Sequence, residues 1–495
     1  MSGAEGRCAA VQVSDHGLNA RESEALSRRP LAAPLRAVDR EVFPVLVLIS
    51  SACLWLVFAG GLTGSDTWLS LLSGRVVVHE GLPHHDTLTA WTLGRPWVDQ
   101  QWLAHITLYG LFTIGGLSLL VVTALAVTLS SVAALIALAR HRGGSTIATS
   151  LVTIPLFLLI LPATGIRAQT LAYPLLAVLL WLLWGARGGT SPVRLALTLP
   201  VLALWANVHG SVLLGAVLVA LVAGEAALLR RDVRLLAYPV AALAAAFVSP
   251  YALELVGYYR KVLLNPSFGK LVTEWRAPTL EHQPLFFVVA AIAIVLVLTR
   301  RRRFAPSELA AFALTTVGAF FATRNIVWFA FLSLVLLPRT FDVRKSRRSE
   351  RHPRVNAALL MIGLAVAGVL SLSVALRSDA ELSPSYRPSA LAAVQRGTGP
   401  IWADEHYGDW LLYMVPSTHR RVMFDARFEL LTSRELTRIS RFRVRGARTL
   451  LVRRSSLSEV RALLACNAGR IVYLDKSAVV ATFSAPVGTT RRRGC

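Results

Sequence analysis

The sequence predicts an α-helical polytopic membrane protein with a small C-terminal extracytoplasmic α/β domain. Three observations point to this architecture. Of the 495 residues, 54% are hydrophobic and only 16% charged, against about 25% charged in soluble globular proteins. The missing charge is concentrated in blocks: Val42 to Thr63 carries none, and a helix of about 20 apolar residues spans the ~30 Å hydrocarbon core of a bilayer. From residue 378 onward the composition becomes that of an ordinary soluble protein.

Taken in order, residues 1–40 are polar and Arg-bearing and are expected to form a disordered cytoplasmic tail. The apolar run that follows is too long for the hydrophobic region of a cleaved signal. Hydropathy then places about eleven spans within residues 41–377, at 42–63, 117–139, 145–164, 168–186, 194–208, 211–229, 235–250, 284–299, 306–322, 325–338 and 355–377. The stretch 103–115 reads as a short helix along the interface, ended by Gly115-Gly116. Residues 64–102 form a large connection between the first two spans.

Orientation follows from the basic residues. With the N-terminus inside, alternate connections are cytoplasmic: "ARHRGG" (139–144), "GARGGTSPVR" (185–194), "RRDVR" (230–234), "RRRR" (300–303) and "RTFDVRKSRRSERHPR" (339–354). All are Arg-rich, as the positive-inside bias requires. This placement accounts for much of the net charge of +24 and argues against nucleic acid as the partner. The expectation is a multi-pass plasma-membrane protein, N-terminus cytoplasmic, in contact with membrane lipids. The opposite face receives 64–102, "TGIRAQ" (164–169), "NVHGS" (207–211), 249–284 and "TRN" (323–325). Charge near a bilayer is expensive without a use, so these polar residues are expected to form one functional face.

In the segment 378–495, "GPIWADEHYGDWLLYMV" reads as strand, turn and helix, and "RRVMFDAR" and "RTLLVRR" as short buried strands. "SLSEVRALLAC" reads as an amphipathic helix begun by a Ser cap, and "GRIVYLDKSAVVATFSA" as a hairpin. Cys466 and Cys495 stand where they can pair if the domain is exported, or remain two free thiols.

The large connection holds a pattern. It reads D-x-W, then G-x-x-x-x-x-x-G-x-P-x-x-D, then G-x-x-W-x-x-x-x-W-L, supplied by Asp66, Trp68, Gly74, Gly81, Pro83, Asp86, Gly94, Trp97, Trp102 and Leu103. With "WANVHGS" at 205–211, "TEWRAP" at 273–278, "RNIVWFAF" at 324–331, "YGDWLLY" and "FDAR", the chain resembles the C-type (GT-C) membrane glycosyltransferases. These include the protein mannosyltransferases and the aminoarabinose transferases, and within them the chain is most similar to a bacterial multi-pass group. The resemblance covers most of residues 40–480.

The resemblance implies transfer of a sugar from a polyprenyl-phosphate carrier to an extracytoplasmic acceptor, a cell-envelope glycan, lipid or protein. Such chemistry asks for a carboxylate to take the acceptor's proton and cations for the departing phosphate. Asp66, just beyond the first span, stands where the family's catalytic carboxylate stands. Asp86 is the second candidate, orienting the acceptor or binding a metal. The departure is that many members carry an adjacent acidic pair here, whereas this chain has Ser65-Asp66-Thr67. Asn207 and His209, at a break between spans, are candidates for substrate binding and for phosphate or proton handling. Arg167, Arg276 and Arg324 offer guanidinium forks suited to phosphate; Glu274 and Trp275 suit a sugar. His79, His84, His85 and Asp86 are metal ligands by type but not by spacing, and a divalent metal is left open. Each of these residues also has a plain structural reading as a cap, anchor or buried hydrogen bond. A non-catalytic envelope-assembly protein and a transporter of lipid-linked glycans are the competing functions.

Overall fold

Every apolar segment expected to be helical contains a helix in the computed structural model, which describes residues 42–57, 61–186, 189–263, 272–341 and 353–489. The tail 1–40, Cys8 and Cys495 lie outside the described residues. In order, the helices of the part 41–377 are α1 (Val42–Val57), α2 (Ser65–Glu80), α3 (Trp102–His141), α4 (Thr146–Ile160), α5 (Ala168–Leu171), α6 (Tyr173–Trp184) and α7 (Pro192–Ala206). They continue with α8 (Val212–Arg230), α9 (Ala237–Ala245), α10 (Glu254–Leu263), α11 (Pro284–Thr299), α12 (Pro306–Phe321), α13 (Ile326–Leu336) and α14 (Pro353–Ala375). Among the described residues, four helical stretches are long and apolar enough to cross a membrane by themselves: Trp102–His141, Thr146–Ala163, Val212–Arg230 and Val355–Ala375. The other apolar helices are shorter. The outward faces are greasy: Ile362 and Val369 on α14 are 62% and 68% exposed. A water-facing surface avoids such a belt, and a lipid-facing one requires it. The chain is a membrane protein. At the opposite extreme α13 is buried on all sides, as a helix apolar around its whole circumference must be, and it carries Arg324 just ahead of its first turn.

The helix expected over 103–115 forms and ends at Gly115-Gly116, where Gly116 takes φ +60°; a second helix follows directly, and the two together make up α3. The Asp379 carboxylate accepts from Leu117 N (2.9 Å) and so caps the second half of α3. The connection 64–102 opens with helix α2, which buries Trp68, Leu71, Leu72 and Val76. The connection 249–284 contains α10.

Helix α2 lies against α3 because Gly74 permits it. A Cβ at Gly74 would sit 2.2 Å from the His105 carbonyl oxygen and 2.6 Å from Tyr109 Cβ. Gly74→Ala is therefore expected to part the two helices and lower stability by about 1–3 kcal/mol, the usual cost of overpacking. Gly224→Ala on α8, where nothing lies within 4 Å, is expected to be neutral or stabilising. Thermal unfolding in detergent compares the two; equal melting temperatures would refute the tight-contact account.

The C-terminal segment forms a four-stranded sheet of order β1-β2-β4-β3, with β1 (Ile401–Ala403) parallel to β2 (Thr449–Arg453). The hairpin β3 (Gly469–Leu474) and β4 (Ala478–Phe483) is antiparallel, and β4 pairs antiparallel with β2. "RRVMFDAR" is not a strand: it makes a single bridge, Ile401 to Val422, and then turns so that Arg427 reaches Asp86. The helix Leu457–Cys466 starts after Ser456, whose side chain makes no capping bond. Cys466 is disulfide-bonded and Cys53 free. One apolar cluster joins Trp55, Leu71 and Val121 of the helical part to Trp410, Leu451 and Val480 of the sheet domain. Arg75 donates to the carbonyls of Tyr413 (2.7 Å) and Leu412 (3.2 Å). The domain is thus seated on α1–α3.

The Arg-rich connections gather at one end of the bundle. Arg142 donates to Glu308 (2.5 Å) and to the Trp184 carbonyl, and Arg339 donates to Glu308 (2.7 Å). Arg303 donates to the Arg339 carbonyl and Arg230 to the Thr190 carbonyl.

Candidate active site

At the other end, separate loops bring acid, base and cation together. Asp66 lies in the first turn of α2, where a carboxylate meets the positive end of the helix dipole. The next residue fixes its surroundings: Thr67 Oγ1 donates to the Ile166 carbonyl (2.9 Å), which sets Arg167 opposite Asp66. Arg167 Nη1 donates to Glu274 Oε1 (2.7 Å) and Oε2 (2.9 Å) and to Asp66 Oδ2 (3.3 Å). Glu274 stands on the short turn Thr273–Trp275. That turn is pinned to the one carrying Arg324 by Thr323 N donating to the Arg276 carbonyl (2.9 Å). The Arg324 guanidinium lies 4.5 Å over the Trp275 ring, with Nη2 3.4 Å from His209 Nε2.

Two adjoining cavities open here. The larger, of about 1090 Å³, is walled by apolar Trp55, Leu62, Leu161 and Ile166 and by Arg276 and Arg377. The smaller, of about 200 Å³, is lined by His105, Gln169, His209, Tyr258, Arg324 and Glu429. Asp66, Arg167, Glu274 and Glu405 belong to the wall of both. Behind the smaller cavity His105 Nδ1 bonds the buried Asp99 carboxylate at 2.9 Å.

The charge states follow from the packing. Burial alone pushes the Glu274 carboxyl up, but Arg167 and then Arg324 pull it below its usual range, so it stays anionic. Burial, reinforced by Arg324 and Arg167, holds His209 well below the usual imidazole value, so it is neutral. Burial depresses the Arg324 guanidinium while Glu274 opposes the shift.

Of the residues singled out in the sequence, Asp66, Arg167, His209, Glu274, Trp275 and Arg324 converge, and Arg276 lines the larger cavity. Asp86 and Asn207 do not. Asp86 is 1% exposed and occupied: it accepts from Leu88 N, Thr89 N, Thr89 Oγ1, Thr92 Oγ1 and Arg427 Nη2 (2.7 Å). Its work is to fasten the connection 84–92 to the soluble domain. Asn207 accepts from Trp102 Nε1 (2.8 Å) and donates to the carbonyls of Ala203 and Val248, tying helix ends together. Trp68, Trp91, Trp97 and Trp102 line neither cavity; Trp91 stacks on Phe424 and Trp97 lies under Arg427. His79 bonds the Tyr109 hydroxyl. No cluster of metal-ligating side chains occurs among the described residues.

The acidic stretches "DEHYGDW" and "FDARFE" read in the sequence as caps and ion pairs, and most of their acids are that, Glu405 included; but Glu405 and Glu429 also line the cavities. Asp404 accepts from Arg453 and His406, Asp409 from Ala426 N, and Asp425 pairs with Arg427.

No family model matches the chain, and no curated protein matches it. Among solved structures it is similar to the Archaeoglobus fulgidus oligosaccharyltransferase, determined in complex with Zn and sulfate. The identity is 12%, over 89% of this chain and 73% of that one, with a TM-score of 0.45. It is also similar to the arabinofuranosyltransferase AftD from Mycobacteria, at 13% identity over 88% of this chain and TM-score 0.41, spanning 40% of that protein's length. Both are GT-C-type membrane glycosyltransferases.

Proposed function

We propose that the protein is a membrane glycosyltransferase that takes a sugar from a polyprenyl-phosphate donor and passes it to an extracytoplasmic acceptor. In this reading the eleven apolar segments cross the plasma membrane from a cytoplasmic N-terminus, and the domain 378–495 lies outside. The observation that supports it most is the convergence of Asp66 and Arg324, carried by different elements, on adjoining cavities away from the Arg-rich connections.

The roles follow from what each group has free. Asp66 Oδ2 is only loosely held at 3.3 Å, and its side chain is half exposed. It takes the proton of the acceptor as the acceptor's lone pair attacks the anomeric carbon. The carbon–oxygen bond to phosphate breaks and its electron pair leaves with the phosphate. Arg167 is already committed to two carboxylates and serves to orient Asp66. Arg324 makes no ion pair among the described residues, and it receives the phosphate with neutral His209 beside it. The larger cavity, apolar on one side and bounded by Arg276 and Arg377, suits a prenyl chain and its headgroup.

The test is transfer by the purified full chain from radiolabelled polyprenyl-phosphate hexoses and pentoses to an envelope extract. Arg324→Gln is expected to lower kcat/KM by about 10²- to 10³-fold, as loss of a transition-state donor does, with Arg324→Lys recovering part. Absence of transfer from every donor by folded wild-type protein would refute the reading.

A further inference from the structure

The charged groups of the smaller cavity can be paired off. Asp66 and Glu274 are balanced by Arg167, which bonds both, together with the Arg324 guanidinium, and Glu405 is held by Arg453 at 2.6 Å. Glu429 is left over. Its carboxyl makes no hydrogen bond or ion pair with another described residue, and it lines the cavity. The turn Phe428–Leu430 holds it there, with Phe428 and Leu430 buried on either side. A second orphan lies in the same wall. Gln169 is 3% exposed; Nε2 donates to the Arg324 carbonyl at 3.5 Å, while Oε1 is buried without a partner. A buried acceptor left without a donor costs about 1–3 kcal/mol, so a ligand that supplies donors is favoured. Trp275 and Tyr258 add flat apolar surface to the wall, as rings of sugar prefer.

We infer that the wall of the smaller cavity carrying Glu429 and Gln169 holds the acceptor beside the phosphate site at Arg324, and that the acceptor is a glycan, whose hydroxyl groups donate to Glu429 and Gln169. The word acceptor rests on the transferase reading; the glycan binding does not. The soluble domain, by contributing Glu429, thereby selects the acceptor. Burial pushes the Glu429 carboxyl up to about 7, against a weaker pull from its own backbone N–H and from Arg427; Asp425 and Asp99 push the same way as burial, and Tyr258 stands across from it. An ionised carboxylate accepts hydroxyl donors more strongly than a protonated one, so binding should tighten as pH rises through 7.

The test uses the full chain in lipid nanodiscs and needs no turnover. Methyl glycosides of hexoses and pentoses are titrated by saturation-transfer NMR beside their per-O-methylated forms, which keep the ring and lose every donor. Wild type is expected to bind the free glycosides, and the methylated forms about tenfold more weakly or not at all. Glu429→Ala and Gln169→Leu should each cost about tenfold, and near-isosteric Glu429→Gln, which keeps a carbonyl acceptor, less, with the pH dependence removed. Equal binding of free and methylated glycosides, unchanged affinity in folded Glu429→Ala, or no glycoside binding to wild type would overturn the inference. Glycoside binding without transfer would leave it standing and remove only the enzymatic reading.

Discussion

Replacing Asp66 with asparagine is expected to reduce sugar transfer by about 10²- to 10⁴-fold, the range that a positioned general base supplies, while the protein folds normally. The fold should survive because little depends on this carboxylate. Its side chain is half exposed, and Arg167 keeps both oxygens of Glu274 at 2.7 and 2.9 Å when Asp66 is neutral. Asparagine keeps the shape and offers Arg167 a carbonyl oxygen, but it cannot accept the acceptor's proton. The loss should fall on kcat, with the KM of the donor changed little, because Arg324 and the apolar and Arg-bearing walls of the larger cavity are untouched. Glu274→Gln gives a contrasting result: it removes the anion that holds Arg167, so both kinetic constants should move. Transfer by Asp66→Asn at the wild-type rate would take the base role away from Asp66 and pass it to Glu274 or Glu405, the carboxylates that share both cavity walls with it.

The hydropathy of the chain announced its helices well because lipid asks for apolar length and little else. Where helices meet protein instead, the rule changes. Helix α2 carries Asp66, Ser70, Ser73 and Arg75, and its average polarity hides it. Its signal is the spacing Trp68, Leu71, Leu72, Val76, a 3.6-residue period within a polar stretch. The site was legible in a similar, partial way. Asp66, Arg167, His209, Glu274 and Arg324 are polar residues in the connections on one side of the apolar segments, and topology alone sends them to one end. Asp86 and Asn207 satisfy the same criterion, yet each is taken up by partners distant in sequence, Arg427 and Val248. Glu429 could not be told from Asp425 four residues earlier, because the difference between a cavity wall and a buried ion pair is made by packing.

The second large effect concerns stability. Arg427→Met is expected to destabilise the protein by about 3–5 kcal/mol, the cost of stranding buried charges whose partner is removed. The Arg427 side chain is 2% exposed and touches Asp86 (0%) at 2.7 Å and Asp425 (3%) at 2.6 Å, with its guanidinium 4.2 Å over the Trp97 ring. Asp409, fully buried, is pushed well above the usual carboxylate range by burial and then by Asp425. Without Arg427 the other two carboxylates face each other's field with no cation, and the connection 84–92 loses its bond to the soluble domain. Burial would lift the Asp86 carboxyl, but Arg427, with hydrogen bonds from Thr92 and Leu88 N, holds it below the usual carboxylate range. Its contribution is therefore present in the wild type above the unfolded value and lost as pH falls through the lower folded one. In Arg427→Met the uncompensated carboxylates protonate more readily, so the difference in melting temperature should shrink as pH falls below about 5. Replacing both acids as well, in Asp86→Asn, Asp425→Asn, Arg427→Met, should recover much of the loss, because removing a whole buried ion network costs less than breaking it. A single variant as stable as the wild type at pH 7, or a triple variant no better than the single, would show that this cluster does not clamp the domain to the membrane helices.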